Sequence, residues 1–119
     1  MKRDMELVRE VLLAIEQDSK LDGTRLAAVS LPGHDQGEVA YVLGLLIDAG
    51  FATGPTRRPP GAKPIAKSLT WNGHELLNNI RDPGIWEKAK ERAKPFLGAG
   101  IGVLAEIAKE EIKKRLNLP

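Results

Sequence analysis

From residue 3 to residue 18 the apolar positions Leu7, Val8, Val11, Leu12 and Ile15 alternate with Arg3, Glu6, Arg9, Glu10 and Glu16. Spacings of three and four gather the apolar side chains on one face and predict an amphipathic helix. Asp4 stands where a carboxylate favours a helix start, and Asp18-Ser19-Lys20 with Asp22-Gly23 ends the period. Residues 24–31, with Thr24, Leu26 and Val29, predict a short strand stopped by Pro32-Gly33. A second helical stripe, Val39, Val42, Leu43, Leu46 and Ile47, predicts a helix over 36–49. Asp35 and Glu38 have capping-box spacing at its start, and Gly50 is placed to end it in the left-handed region.

Phe51-Ala52-Thr53 is long enough only for a strand. Residues 54–64 then hold four prolines and two glycines, which exclude regular structure. Residues 65–71 read as the returning strand, so the pair forms a hairpin with a protruding loop. Leu76, Leu77 and Ile80 predict a short helix over 75–81. Asp82-Pro83 restarts the chain as N-cap and first helical residue, with Trp86, Ala89 and Ala93 on the helix over 85–94. A last helix carries Ile101, Leu104, Ala105, Ala108, Ile112 and Leu116 on one side.

The order is helix, strand, helix, strand, long turn, strand and then helices. It predicts an α+β fold: a winged helix-turn-helix-like domain with three short strands and a C-terminal helical extension. The helix usually placed between the first strand and the recognition helix is then reduced or absent. The expected organisation is a winged-helix domain at 1–82, its wing at 54–65, and the extension at 83–119.

Met-Lys-Arg-Asp-Met-Glu-Leu-Val-Arg at 1–9, Glu38-Val39-Ala40-Tyr41, Leu45-Leu46-Ile47-Asp48-Ala49-Gly50 and Leu69-Thr70-Trp71-Asn72-Gly73-His74-Glu75 resemble an uncharacterised family common in phages and prophages. Ile80-Arg81-Asp82 and Trp86 extend the likeness over nearly the whole chain. The family is a domain of unknown function, so the resemblance implies a phage or prophage setting more than an activity. A Leu-Thr-x-x-Gly step after a wing is also similar to that of many winged-helix repressors, which implies transcriptional regulation by fold analogy.

Composition narrows the chemistry. A chain of 119 residues with 4% aromatics has one mainly aliphatic core and no room for a deep cleft between two domains. The absence of cysteine removes disulfides, thiolate catalysis and the common zinc patterns. No apolar run has the length of a membrane span, and charges interrupt any signal-peptide core, so a soluble cytoplasmic protein is expected. His34 and His74 lie apart, with no His-x-x-x-His or His-Glu-x-x-His spacing. The glycines at 98–102 fail the dinucleotide pattern, because the third glycine would fall on Val103. They read as a hinge or a close helix contact. The chain is expected not to be an enzyme, and to carry no catalytic residue, cofactor or metal.

Charge redraws the picture. Residues 1–54 carry five basic and nine acidic side chains, net −4, and residues 55–119 carry 13 basic and seven acidic, net +6. Arg57, Arg58 and Lys63 in the wing, with Lys67 behind them, suit phosphates and a narrow minor groove. On the second helix Gln36 suits adenine, and Tyr41 a phosphate or a thymine methyl. Double-stranded DNA is the first expected partner. Yet that helix and its cap hold Asp35, Glu38 and Asp48 and no cation, and phosphates repel such a face. The competing expectation is therefore a protein-interaction module. In it Glu38, Tyr41, Gly44 and Asp48 face a host protein, as in a phage-encoded inhibitor of a defence or transcription complex. The long apolar stripe at 101–116 points to a homodimer through the C-terminal helix.

The junction 69–75 reads as a joint. Thr70 or Asn72 caps the next helix, Gly73 permits a tight approach, and His74 is a surface or structural residue. Trp71 is expected to roof the core, so its loss should cost about 3–5 kcal/mol.

Overall fold

The computed structural model describes residues 5–96 and 100–117. The expected cap at Asp4 and the Gly98-Ala99 part of the glycine segment lie outside the described residues. The chain divides into two compact units, Met1–His74 and Glu75–Pro119. The division falls at 74/75, inside a helix, rather than at the expected 82/83.

In the first unit, helix α1 (Met5–Gln17) buries Leu7, Val8, Val11, Leu12 and Ile15, the five residues of its predicted stripe. Thirteen residues are marginal as an isolated helix, so burial of that face is what holds it. The stripe packs against helix α2 (Gln36–Asp48), which buries Val39, Val42, Leu43 and Leu46. The Asp35 carboxylate accepts the Glu38 N–H at 3.3 Å and caps α2 as its spacing predicts. Gly50 ends the helix at φ +86°, a left-handed conformation that glycine adopts without strain. Its N–H reaches the Ile47 carbonyl at 3.1 Å, and the Phe51 N–H reaches Leu46 at 2.8 Å.

The predicted strand over 24–31 is reduced to β1 (Ala27–Ala28). The Asp22 carboxylate accepts the Thr24 hydroxyl at 2.7 Å and the Thr24 N–H at 3.0 Å, so a turn takes Thr24 out of the strand. The same two bonds, the hydroxyl first, hold the Asp22 carboxyl below its ordinary 3.8. Three expected strands become four: β1, β2 (Ala52–Thr53), β3 (Ile65–Ala66) and β4 (Ser68–Leu69). Antiparallel pairs join β1 to β3 and β2 to β4, with Ala27 opposite Ala66 and Ala52 opposite Leu69. Lys67 hands the chain from one pair to the other. Its N–H donates to Thr53 at 2.7 Å, and its carbonyl accepts from Gly23 at 3.0 Å. Ala66 and Leu69, three apart, are therefore both buried, where strict alternation would have turned one outward. The class is α+β, as expected.

Helix α3 (Trp71–Ile80) starts four residues earlier than its apolar pattern predicts. The Thr70 hydroxyl donates to the Gly50 carbonyl at 2.6 Å and accepts the Gly73 N–H at 3.1 Å, which makes Thr70 the cap and excludes Asn72. Trp71 becomes the first helical residue and points outward, 79% exposed, so it does not roof the core. Phe51 is the buried aromatic of this unit. Gly73 is close-packed: a Cβ there would overlap the Phe51 carbonyl oxygen.

In the second unit, Leu76, Leu77 and Ile80 of α3 are buried as predicted. Asp82 caps α4 (Pro83–Ala93) through the Ile85 N–H at 3.0 Å, with Pro83 in the first turn. After a 3-10 turn at Lys94–Phe96 and the described Gly100, α5 (Ile101–Arg115) packs along α4. Ile85, Trp86, Ala89 and Ala93 are buried on α4, and Ile101, Leu104, Ile107, Ala108 and Glu111 on α5. The α5 stripe is thus rotated from the expected one. Ile107 and Glu111 take the inner positions, Ala105 and Ile112 are half-buried, and Leu116 is 61% exposed. Of the six stripe residues expected to form a dimer, Ile101, Leu104 and Ala108 are buried within the chain. No helix among the described residues is long and apolar enough to cross a membrane.

Candidate functional site

The expected site residues fall mostly on one surface of the first unit. Helix α2 presents Gly37, Ala40, Tyr41, Gly44 and Asp48 to a groove of about 710 Å³. The loop 54–64 forms the facing wall with Pro55, Arg57, Arg58, the residues 59–64 and then Ile65 of β3. The loop leaves β2 and enters β3, and its ends are held by the β1–β3 pairing and by the Lys67 N–H on Thr53 that leads into the β2–β4 pair, while its prolines restrict the path between them. Tyr41, Gly44, Asp48, Arg57, Arg58 and Lys63 are brought together. Gln36 and Glu38 are exposed on α2, and Lys67 is exposed beyond β3, but none of the three lines the groove.

The two arginines of the loop differ. Arg57 is exposed and makes no ion pair among the described residues, as is also true of Lys63. Arg58 folds back on α2. Its Nη2 lies 2.9 Å from both carboxylate oxygens of Asp48, and its Nη1 donates to the Pro55 carbonyl at 2.7 Å. The guanidinium lies over Gly44, where a Cβ would come within 2.9 Å of Arg58 Nε. Gly44 is accordingly buried, not the open flat face expected from its place on the helix. Asp48 is not a bare acid. Its side chain is 61% exposed and that of Arg58 28%. A pair so placed contributes about 0–1 kcal/mol, so it positions the arginine without locking it.

The sequence carries Gly44 and Asp48 one helical turn apart, which puts a small residue and an acid on one face. It does not carry the path of the loop that brings Arg58 to them. The two histidines lie outside this groove. His34 Nε2 lies 2.9 Å from a Glu10 carboxylate oxygen, joining the segment before α2 to α1. His74 is exposed on α3. Among the described residues no three or more His, Asp or Glu side chains gather to hold a metal ion. The groove offers an aromatic ring, small residues that admit close approach, and cations at its rim. That set suits an anionic ligand with flat apolar faces.

Residues 2–99 match the family described as "Hypothetical protein (DUF2513)". A protein of Haemophilus influenzae strain Rd, described as uncharacterized, is 32% identical over 118 residues, covering 98% of this chain and 99% of its own. No solved structure matches the chain.

Proposed function

The chain belongs to the DUF2513 family, and on the geometry of its groove we propose that it is a non-enzymatic DNA-binding protein of the winged-helix type. The observation that carries this is the meeting of the Tyr41 face of α2 with Arg57 and Lys63 across one groove. In this reading α2 enters the major groove of a duplex, with Gln36 and Tyr41 toward the base edges and the loop as the wing on the flanking phosphates. Two features support it. Residues 65–66 pair with β1 and residues 68–69 with β2, so the segment after the loop reaches both, which is compatible with the returning strand of a wing. In the free protein the repulsion expected from α2 is reduced at Asp48, which Arg58 offsets. Asp35, exposed at the cap, and Glu38 have no cation partner among the described residues. For the protein-interaction reading Glu38, Tyr41 and Asp48 are exposed, the last beside Arg58, and Gly44 is covered by the Arg58 guanidinium. Transcriptional regulation, the phage or prophage setting and a cytoplasmic location belong to the same proposal.

The test is a titration of random-sequence duplex DNA over a range of salt concentrations. Binding should weaken steeply as salt rises, and Arg57→Ala or Lys63→Ala should each lower the log–log slope by about 0.9. Absence of binding at low salt contradicts the proposal.

A further inference from the structure

We propose that Asp48 sets the affinity of the groove for nucleic acid. It occupies the guanidinium of Arg58 in the free protein, and a backbone phosphate takes its place in the complex. This rests on the DNA-binding reading above. Three observations lead to it. First, Arg58 is already held as an anion ligand. Nη2 contacts both oxygens of Asp48 at 2.9 Å, Nη1 is oriented by the Pro55 carbonyl, and Gly44 gives the clearance that lets the guanidinium lie on the helix. A carboxylate and a phosphodiester offer a guanidinium the same pair of acceptor oxygens, so one can substitute for the other. Second, the Arg58 side chain is 28% exposed, so a phosphate can reach its guanidinium, and Asp48, 61% exposed, can turn away into solvent as the phosphate arrives. Third, Arg57 and Lys63 line the same groove without ion-pair partners among the described residues. They are free to gather a polyanion beside the occupied arginine.

The exchange leaves a thermodynamic signature. In the wild type Arg58 leaves one anion for another, and the uncovered Asp48 takes up a cation. The contact therefore adds almost nothing to net counterion release. With Asp48→Asn, Arg58 starts free and its phosphate contact counts in full, so the log–log salt slope should steepen by about 0.9.

The experiment measures anisotropy of a labelled random-sequence duplex with the full chain and its Asp48→Asn, Arg58→Gln and doubly substituted forms. Asp48→Asn should tighten binding about fivefold near 0.1 M salt when Arg58 is present, and less than about twofold in the Arg58→Gln background. In an Arg57→Gln background, the same charge change one residue away, the gain from Asp48→Asn should persist. Gly44→Ala keeps every charge and moves Arg58 off its seat, so it should tighten binding in the same direction and covers the case in which Arg58→Gln disturbs the loop. An equal gain from Asp48→Asn with and without Arg58 means that Asp48 only repels DNA, and overturns the proposal. So does no gain from Asp48→Asn while the wild type binds. If neither the wild type nor any variant binds at low salt, the DNA-binding reading fails and the proposal falls with it.

Discussion

On helices α4 and α5, Arg92 reaches Glu110 at 3.2 Å and Glu111 at 3.4 Å, Arg115 reaches Asp82 at 2.7 Å, and Lys90 lies 2.9 Å from Glu87 and over the Trp86 ring. In the loop 54–64, Arg57 and Lys63 are exposed beside a groove and pair with nothing among the described residues. A charge count along the sequence treats both stretches as basic. The structure separates them by what lies within reach. A second helix packed alongside and the α4 cap bring carboxylates to Arg92 and Arg115, and helical neighbours three apart bring them to Lys90 and Lys114, while Lys88, Lys94, Lys109 and Lys113 make no ion pair among the described residues. A proline-rich loop has no such neighbours, and only Arg58 finds one, on α2. Paired cations hold a fold together, whereas unpaired ones are available to a partner.

The tryptophans show the same contrast and give the largest expected effect. Trp86, 3% exposed on α4, should cost about 3–5 kcal/mol when replaced by Ala, measured by urea unfolding. Trp71, 79% exposed, should cost less than about 0.5 kcal/mol, the reverse of what its place in the sequence suggests. A large loss from Trp71→Ala would mean that the first turn of α3 is inward-facing.

Gly73→Ala should come next, at about 1–3 kcal/mol, because the new methyl meets backbone that cannot yield as a side chain can. Replacing Arg92 with Ala tests the cation contrast itself. It leaves the buried Glu111 with only Lys114, at 3.6 Å, and should lower stability by about 1–3 kcal/mol. Arg57→Ala should change stability by less than about 0.5 kcal/mol while lowering the salt slope of DNA binding. Equal stability losses from the two arginines would erase the distinction.

The smallest effect concerns pH. The Ile85 N–H and then the Arg115 guanidinium hold the Asp82 carboxyl below its ordinary 3.8. The folded value lies below the unfolded one, so the stability it contributes is complete above pH 3.8 and is lost as pH falls through the folded value. Thermal unfolding of Asp82→Asn should therefore decline less than that of the wild type between about pH 5 and about pH 2. Coincident declines would remove the Asp82–Arg115 pair from the account.

Periodicity and caps were legible in the sequence, because both are local. The stripes of α1 and α2, the caps at Asp35 and Asp82 and the stop at Gly50 depend only on residues a turn or two away. The strand bounds are not local, because a turn at Asp22 and a handover at Lys67 decide where pairing begins and ends. The outward place of Trp71 is not legible locally, because the start of α3 is set by Thr70 reaching Gly50, twenty residues back. Of the site, the loop cations and Tyr41 were visible by residue type. The latch of Arg58 on Asp48 was not, since it joins two segments whose separation is fixed only once β2 and β4 pair.

The most direct measurement is an amide chemical-shift titration of the 15N-labelled chain with a short duplex at low salt. Shifts should concentrate at residues 36–48 and 56–63, with α4 and α5 nearly unchanged. Shifts centred on residues 83–115 with the groove silent, or none at all, would contradict DNA binding through this groove.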